Sequence, residues 1–114
     1  GLKELGYAGA RLDDLANWIP ARLSIILIAL ARPRGARSAI REAFKYHSAT
    51  PSPNSGWPMA AAAGSLKIRL EKPGQYILLG ENPNPETRDI FRATGLVQSA
   101  IALTLAAAFI CLLL

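Results

Sequence analysis

The sequence predicts a mainly α-helical, integral membrane protein: two apolar helices flanking a cytoplasmic loop region that carries short helices and a small β-hairpin. Three observations lead there. Leu96 to Leu114 is nineteen residues without a charge, about 28 Å as a helix, which matches the ~30 Å hydrocarbon core of a bilayer. Leu23 to Ala31 is a second, nearly all-apolar run. The charge between them is lopsided: Arg32 to Gly95 holds ten Lys/Arg against five Asp/Glu, Gly1 to Ala31 holds three of each, and Leu96 to Leu114 holds none. By the positive-inside rule the loop region faces the cytoplasm and the C-terminal helix crosses outward, although 64 residues is near the length at which that rule weakens. The expected organisation is one domain in three parts: an apolar helix over 15–31, the cytoplasmic loop region 32–95 and a transmembrane helix over 96–114.

Taken in order, Gly1 to Ala10 is weakly patterned. From Arg11, a helical reading puts Arg11, Asp14, Trp18 and Arg22 near one stripe, with Asp13 and Asn17 one turn apart. Pro20 is expected to kink that helix or to begin a new one as its first residue. Pro20 to Ala31 alone is only about 18 Å of helix. To span a bilayer it must recruit Leu15 to Ile19, which brings Arg22 and the two aspartates to the bilayer edge, where charges are costly. Arg32-Pro33-Arg34-Gly35 ends the run. Ser38 to His47 has helical periodicity, with Ile40, Ala43, Phe44 and His47 on an apolar face and Arg37, Arg41 and Lys45 on a basic one. His47 reads as a capping or packed residue.

Pro51 to Pro58, Pro-Ser-Pro-Asn-Ser-Gly-Trp-Pro, punctuates the chain. Three prolines fix φ and remove donors, so no helix or strand is expected to run through it. Ser52, Asn54 and Ser55 supply short polar side chains that fold back on the backbone or reach a ligand. Trp57 supplies a large flat surface. An Ala-rich helix is expected from Met59 to Leu66, small enough in side chain for close packing. Leu66, Ile68 and Leu70 alternate with charged residues as in a short strand. Lys72-Pro73-Gly74-Gln75 suits a type II turn, after which Tyr76 to Leu79 returns as a second strand. Asn84 is expected to cap a helix that begins at Pro85.

Several chemistries are excluded. The sequence has no Walker A loop, no GxGxxG, no HExxH and no GxSxG. With one His and one Cys, neither a Cys/His metal cluster nor a Cys/His nucleophilic pair is expected. The basic balance admits nucleic acid, but few aromatics interleave with the basic residues, and no nucleic-acid partner is expected. What remains is Asp13, Asp14, Asn17 and Arg22 in one block and Ser52, Asn54 and Ser55 in another. Carboxylates can hold Mg²⁺, and an arginine can hold phosphate.

These two blocks carry a resemblance. Arg11-Leu-Asp-Asp-Leu-Ala-Asn-Trp-Ile-Pro-Ala-Arg-Leu23, followed by Ser52-Pro-Asn-Ser-Gly-Trp-Pro58 and Ala61-Ala-Ala-Gly-Ser-Leu-Lys-Ile-Arg-Leu70, resembles the C-terminal part of the cobinamide-phosphate synthase family (CobD/CbiB) of cobalamin biosynthesis. The resemblance implies a multi-pass enzyme of the cell membrane that joins adenosylcobyric acid to aminopropanol, or its phosphate, through an amide bond. ATP is consumed, Mg²⁺ assists, and the corrinoid and the amino alcohol are the substrates. It also implies that family members are longer, so that a preceding region of the same protein is a partner of this chain. By that likeness Asp13, Asp14, Asn17, Pro20 and Arg22 belong to one family block, and Ser52, Pro53, Asn54, Gly56, Trp57 and Pro58 to the other.

On this reading Asp13 and Asp14 take the metal, Arg22 takes phosphate, and Asn54 with the loop amides serves an oxyanion or a corrin amide. Asn17 is grouped with the catalytic candidates. Ser52, Ser55, Gly56 and Trp57 are expected at the substrate, Trp57 packing on the corrin face. Two departures from the family pattern stand out: Met59 where many members carry a glutamate, and Thr50 where many carry a histidine. The alternative function is a non-catalytic membrane scaffold or corrinoid-binding subunit.

Overall fold

The computed structural model describes residues 1–79 and 82–114. Its order is α1 (Leu2–Ala31), a 3₁₀ turn (Pro33–Gly35), α2 (Ala36–Tyr46), a second 3₁₀ turn (His47–Ala49), α3 (Gly56–Leu66), β1 (Leu70–Lys72), β2 (Tyr76–Leu78) and α4 (Thr87–Leu113). The protein is mostly helical, with one two-stranded sheet. Helices α1 and α4 are each long and apolar enough to cross a membrane.

Helix α1 departs from expectation at its start, and at Pro20 it excludes one of the two expected outcomes. It begins at Leu2 rather than near Leu15, and it continues through Pro20, so no new helix starts there. Pro20 has no N–H to offer the Ala16 carbonyl. The helix persists because the next turns are tied down: Ala21, Ile25 and Ile28 form a buried stripe at helical spacing. Nearby carbonyls also gain side-chain donors, Asp14 O from Asn54 and Trp18 O from Arg22.

Helices α2 and α3 pack through small residues. Ala39, Ala43, Ala60, Ala61 and Ala63 are fully buried. A Cβ on Gly64 would lie 2.7 Å from the Ser38 carbonyl oxygen, so only glycine admits this approach. The tight fit corrects the expected apolar face of α2. Ala39 and Ala43 turn inward, while Ile40 and Phe44 stay 43% and 65% exposed. A large side chain at the contact would hold the helices apart.

Helix α3 lies along the second half of α1. Its N-terminal end meets Asp14 and Arg22 through Asn54, and its C-terminal end meets Arg32, whose Nε donates to the Ser65 carbonyl. The loop region thus folds back beside α1 instead of hanging beyond its end. No helix runs through the proline-rich stretch, as expected, but α3 starts within its end, at Gly56 rather than Met59. Pro58 is tolerated because first-turn N–H groups have no intrahelical acceptor.

The end of α3 redraws the expected strand. Lys67 is left-handed, φ 57°, and Ile68 N–H bonds back to the Ala63 carbonyl at 3.1 Å. Leu66 is therefore helical, and only Leu70–Lys72 pairs, antiparallel with Tyr76–Leu78. The turn is as expected: Gln75 N–H donates to Lys72 O at 2.9 Å, and Gly74 has φ +76°. Leu78 and Leu79 bury against Ala60 and Ala63 as a second small core. Helix α4 begins at Thr87, two residues later than expected, because Glu86 rather than Asn84 occupies the cap. Its N–H donates to the Asp89 carboxylate at 2.8 Å.

Candidate functional site

Asn54 is where the two sequence blocks meet. Its Nδ2 donates to the Asp14 carbonyl at 2.8 Å, and its Oδ1 accepts from Arg22 Nη1 at 2.9 Å. Forty and thirty-two residues of separation are closed by one side chain that is only 6% exposed. With donor and acceptor both engaged, Asn54 holds α1 and the loop together. It is a positioning residue, and the second hydrogen of its Nδ2 is left over at the cleft it lines.

The loop braces itself. Ser52 Oγ accepts from the Asn54 and Ser55 N–H groups at 3.3 Å each. Thr50, buried, spans Ser52 O at 3.1 Å and Ser55 Oγ at 3.2 Å. This is the local side chain to backbone bonding that short polar residues favour, and it fixes the Asn54 backbone before any ligand arrives. Gly56 serves close approach: a Cβ there would fall 1.8 Å from the His47 carbonyl oxygen.

Arg22 is held from three sides. Beyond Asn54 and the Trp18 carbonyl, its guanidinium carbon lies 4.3 Å from the Trp18 ring centroid and 4.9 Å from that of Trp57, within cation–π range. Trp57 in turn stacks on His47 at 4.0 Å and meets Phe44 edge-on at 5.1 Å. At 8% exposure Trp57 has no open face for a corrin ring, which corrects its expected role as a stacking platform. His47 is packed, as its position suggested. Trp18, missed as a functional residue, was signalled by its one-turn spacing from Arg22.

The blocks enclose a cleft of about 380 Å³. Asp13, Asp14 and Asn17 line one wall, Ser52, Asn54 and Ser55 the other, with Pro20 and Pro58 beside them. Arg22 opens instead onto a neighbouring hollow of about 370 Å³ with His47, Ser48 and Ser52. Ser52 borders both, so acidic and basic groups lie on two sides of one loop. Gly56 and Trp57 line neither. Asp13 and Asp14 form no ion pair among the described residues, which leaves their carboxylates available to a cation. No group of three His, Cys, Asp or Glu residues gathers among the described residues. The donor set of two carboxylates with amide and hydroxyl oxygens still suits Mg²⁺, which keeps several waters and takes few protein ligands. Met59 lies outside the cleft: its sulfur meets the Tyr76 hydroxyl at 3.8 Å on the hairpin side.

The decisive comparison is with a protein-family model, CobD/Cbib protein, which matches residues 1–107. The chain belongs to this family. It is 54% identical over 102 residues to a probable cobalamin biosynthesis protein CobD of Methanothrix thermoacetophila, covering 90% of this chain and 32% of that protein. It is 41% identical over 111 residues to the cobalamin biosynthesis protein CobD of Rhodobacter capsulatus, covering 88% of this chain and 34% of the relative. A probable CobD of Methanothermobacter thermautotrophicus is 39% identical over 116 residues, with 98% and 39% covered. The chain thus spans about a third of the length of these relatives. No solved structure matches it.

Proposed function

We propose that the full-length protein containing this chain is the amide-forming enzyme of cobalamin biosynthesis that joins adenosylcobyric acid to aminopropanol or its phosphate, with ATP consumed. The observation that carries this reading is the Asp14–Asn54–Arg22 junction. In a CobD/Cbib family chain, it draws Asp13, Asp14 and Asn17 of one polar block and Ser52, Asn54 and Ser55 of the other into one cleft, with Arg22 on the far side of Ser52. Helices α1 and α4 are read as spanning the cell membrane within a multi-pass protein, with Arg32, Arg92 and their neighbours at one polar boundary of the bilayer.

The roles follow from what each side chain has free. Asp13 and Asp14 present unpaired carboxylates to the cleft and would hold Mg²⁺; Mg²⁺, when bound with nucleotide, neutralises phosphate charge. Arg22, oriented by two indoles and Asn54, keeps its Nε and Nη2 hydrogens for an anion on the other side of Ser52. The Asn54 and Ser55 N–H groups are taken up by Ser52 Oγ, so the donor held ready for charge developing on an attacked carbonyl is the second Nδ2 hydrogen of Asn54. Asn17 and Ser55 complete the polar walls.

The experiment is ATP-dependent product formation by the purified full-length protein, compared with Asp14→Ala. That substitution removes the carboxylate and leaves the main-chain carbonyl that Asn54 grips. Loss of product with retained folding supports the assignment; parent-rate product formation by Asp14→Ala rejects it. Corrinoid binding without ATP consumption by the parent protein would favour the scaffold alternative.

A further inference from the structure

A second cluster lies at the opposite end of α3, outside the cleft. The C-terminal carbonyls of a helix have no intrahelical donors. Here two consecutive ones each hold an arginine from a different long helix: Ser65 O accepts from Arg32 Nε at 3.2 Å, and Leu66 O accepts from Arg92 Nη2 at 3.0 Å. Arg92 Nη1 also donates to the buried Asp89 carboxylate at 2.6 Å. Both guanidinia are thereby fixed side by side with hydrogens to spare. Both amino groups of Arg32 and the Nε of Arg92 have no protein acceptor among the described residues.

These two arginines border one hollow of about 320 Å³, closed by Gly95, Leu96 and Ser99 of α4 and by the ring of Phe91. Its charge is positive, two arginines against one aspartate. Its place is equally specific. Arg32 directly follows the apolar run of α1, and Arg92 is the last charged residue before the uncharged stretch of α4. Donors in a fixed pair suit a phosphate oxygen pair. An exposed aromatic at the rim suits the polar–apolar boundary.

The geometry points to a binding site for a phosphate-bearing anion, and we propose that its occupant is the phosphodiester headgroup of an anionic phospholipid. Arg32 and Arg92 would take the phosphate oxygens, Ser99 would stand below them, and Phe91 would lie against the glycerol and upper acyl chain. Basic hollows between spanning helices at the cytoplasmic side hold such headgroups. The proposal rests on the membrane reading of α1 and α4 and is independent of the amide-forming chemistry.

The test uses the full-length protein in bilayer nanodiscs. Lipids retained after extraction are counted by native mass spectrometry, with phosphatidylglycerol offered against phosphatidylcholine. Each arginine near the headgroups is worth roughly a fivefold preference, so parent protein with two should retain phosphatidylglycerol about 25-fold over phosphatidylcholine. Arg32→Gln should cut that preference about fivefold. Gly95→Leu touches neither arginine, and a Cβ there meets no atom within 4 Å. It should fold normally yet fill the hollow and abolish the preference. Inorganic phosphate at millimolar concentration should not displace the lipid. Equal retention of both lipids, a preference that survives in Gly95→Leu, or displacement by inorganic phosphate would each overturn the proposal. Failure to enter neutral bilayers at all would overturn the membrane reading and the proposal together.

Discussion

Replacing Asn54 with alanine should uncouple the proline-rich loop from α1. The substitution removes two hydrogen bonds, Arg22 Nη1 to Oδ1 at 2.9 Å and Nδ2 to the Asp14 carbonyl at 2.8 Å. The first involves a charged donor and is worth about 1.5–3 kcal/mol; the second is neutral and is worth about 0.5–1.5 kcal/mol. Arg22 is half-buried, so water recovers part of its loss, and the net cost should fall at about 2–3 kcal/mol. A double-mutant cycle with Arg22→Ala isolates the shared bond, and the coupling should be about 1.5 kcal/mol. The assay is denaturant titration of the full-length protein in mixed micelles, followed by circular dichroism. Ser48→Ala, at an exposed position, serves as a control within ~0.5 kcal/mol of the parent. A coupling below ~0.5 kcal/mol would refute the claim that one asparagine joins the two blocks.

Three further outcomes are expected. Gly64→Ala places a Cβ 2.7 Å from the Ser38 carbonyl oxygen and should destabilise by about 1–3 kcal/mol through forced separation of α2 and α3, read by the same titration. Leu78→Ala empties a fully buried position in the hairpin core and should cost about 2–5 kcal/mol; a cost under 1 kcal/mol would mean that the hairpin is not packed on α3. Gly74→Ala meets no atom but must adopt φ +76°, so it should cost about 1 kcal/mol, whereas Gly74→Asn should be nearly neutral because asparagine tolerates that conformation.

The legible parts of the sequence were those with strong local physics. The uncharged run after Gly95 is helical, Pro73-Gly74 makes the expected turn, and the two polar blocks do converge. The missed parts were decided by tertiary contacts. Pro20 left two outcomes open, a kink or a new helix, and the buried stripe that follows it and the side-chain donors around it decide for a continuous α1. Ile40 and Phe44 carry the periodic apolar signal of α2, yet the contact is made by alanines, because the partner helix offers a glycine and a row of alanines at close range. That Asn54 also ties the two blocks together was not legible, because residue type alone cannot show which groups of an amide are already engaged. Trp57 looked like an open platform for the same reason: His47, Phe44 and Arg22 cover it from three different elements.

Helix α1 carries Arg22 and Arg32 ten residues apart, about 15 Å along the axis. On the membrane reading proposed above, with Arg32 at the headgroups, the Asn54 junction would lie roughly halfway into a ~30 Å hydrocarbon core. A water-soluble reactant would then enter a vestibule walled by protein rather than settle on an outer surface. Mobile ions penetrate such a vestibule poorly, so raising the ionic strength should scarcely weaken the grip of Arg22 on an anion, unlike contacts on an open face.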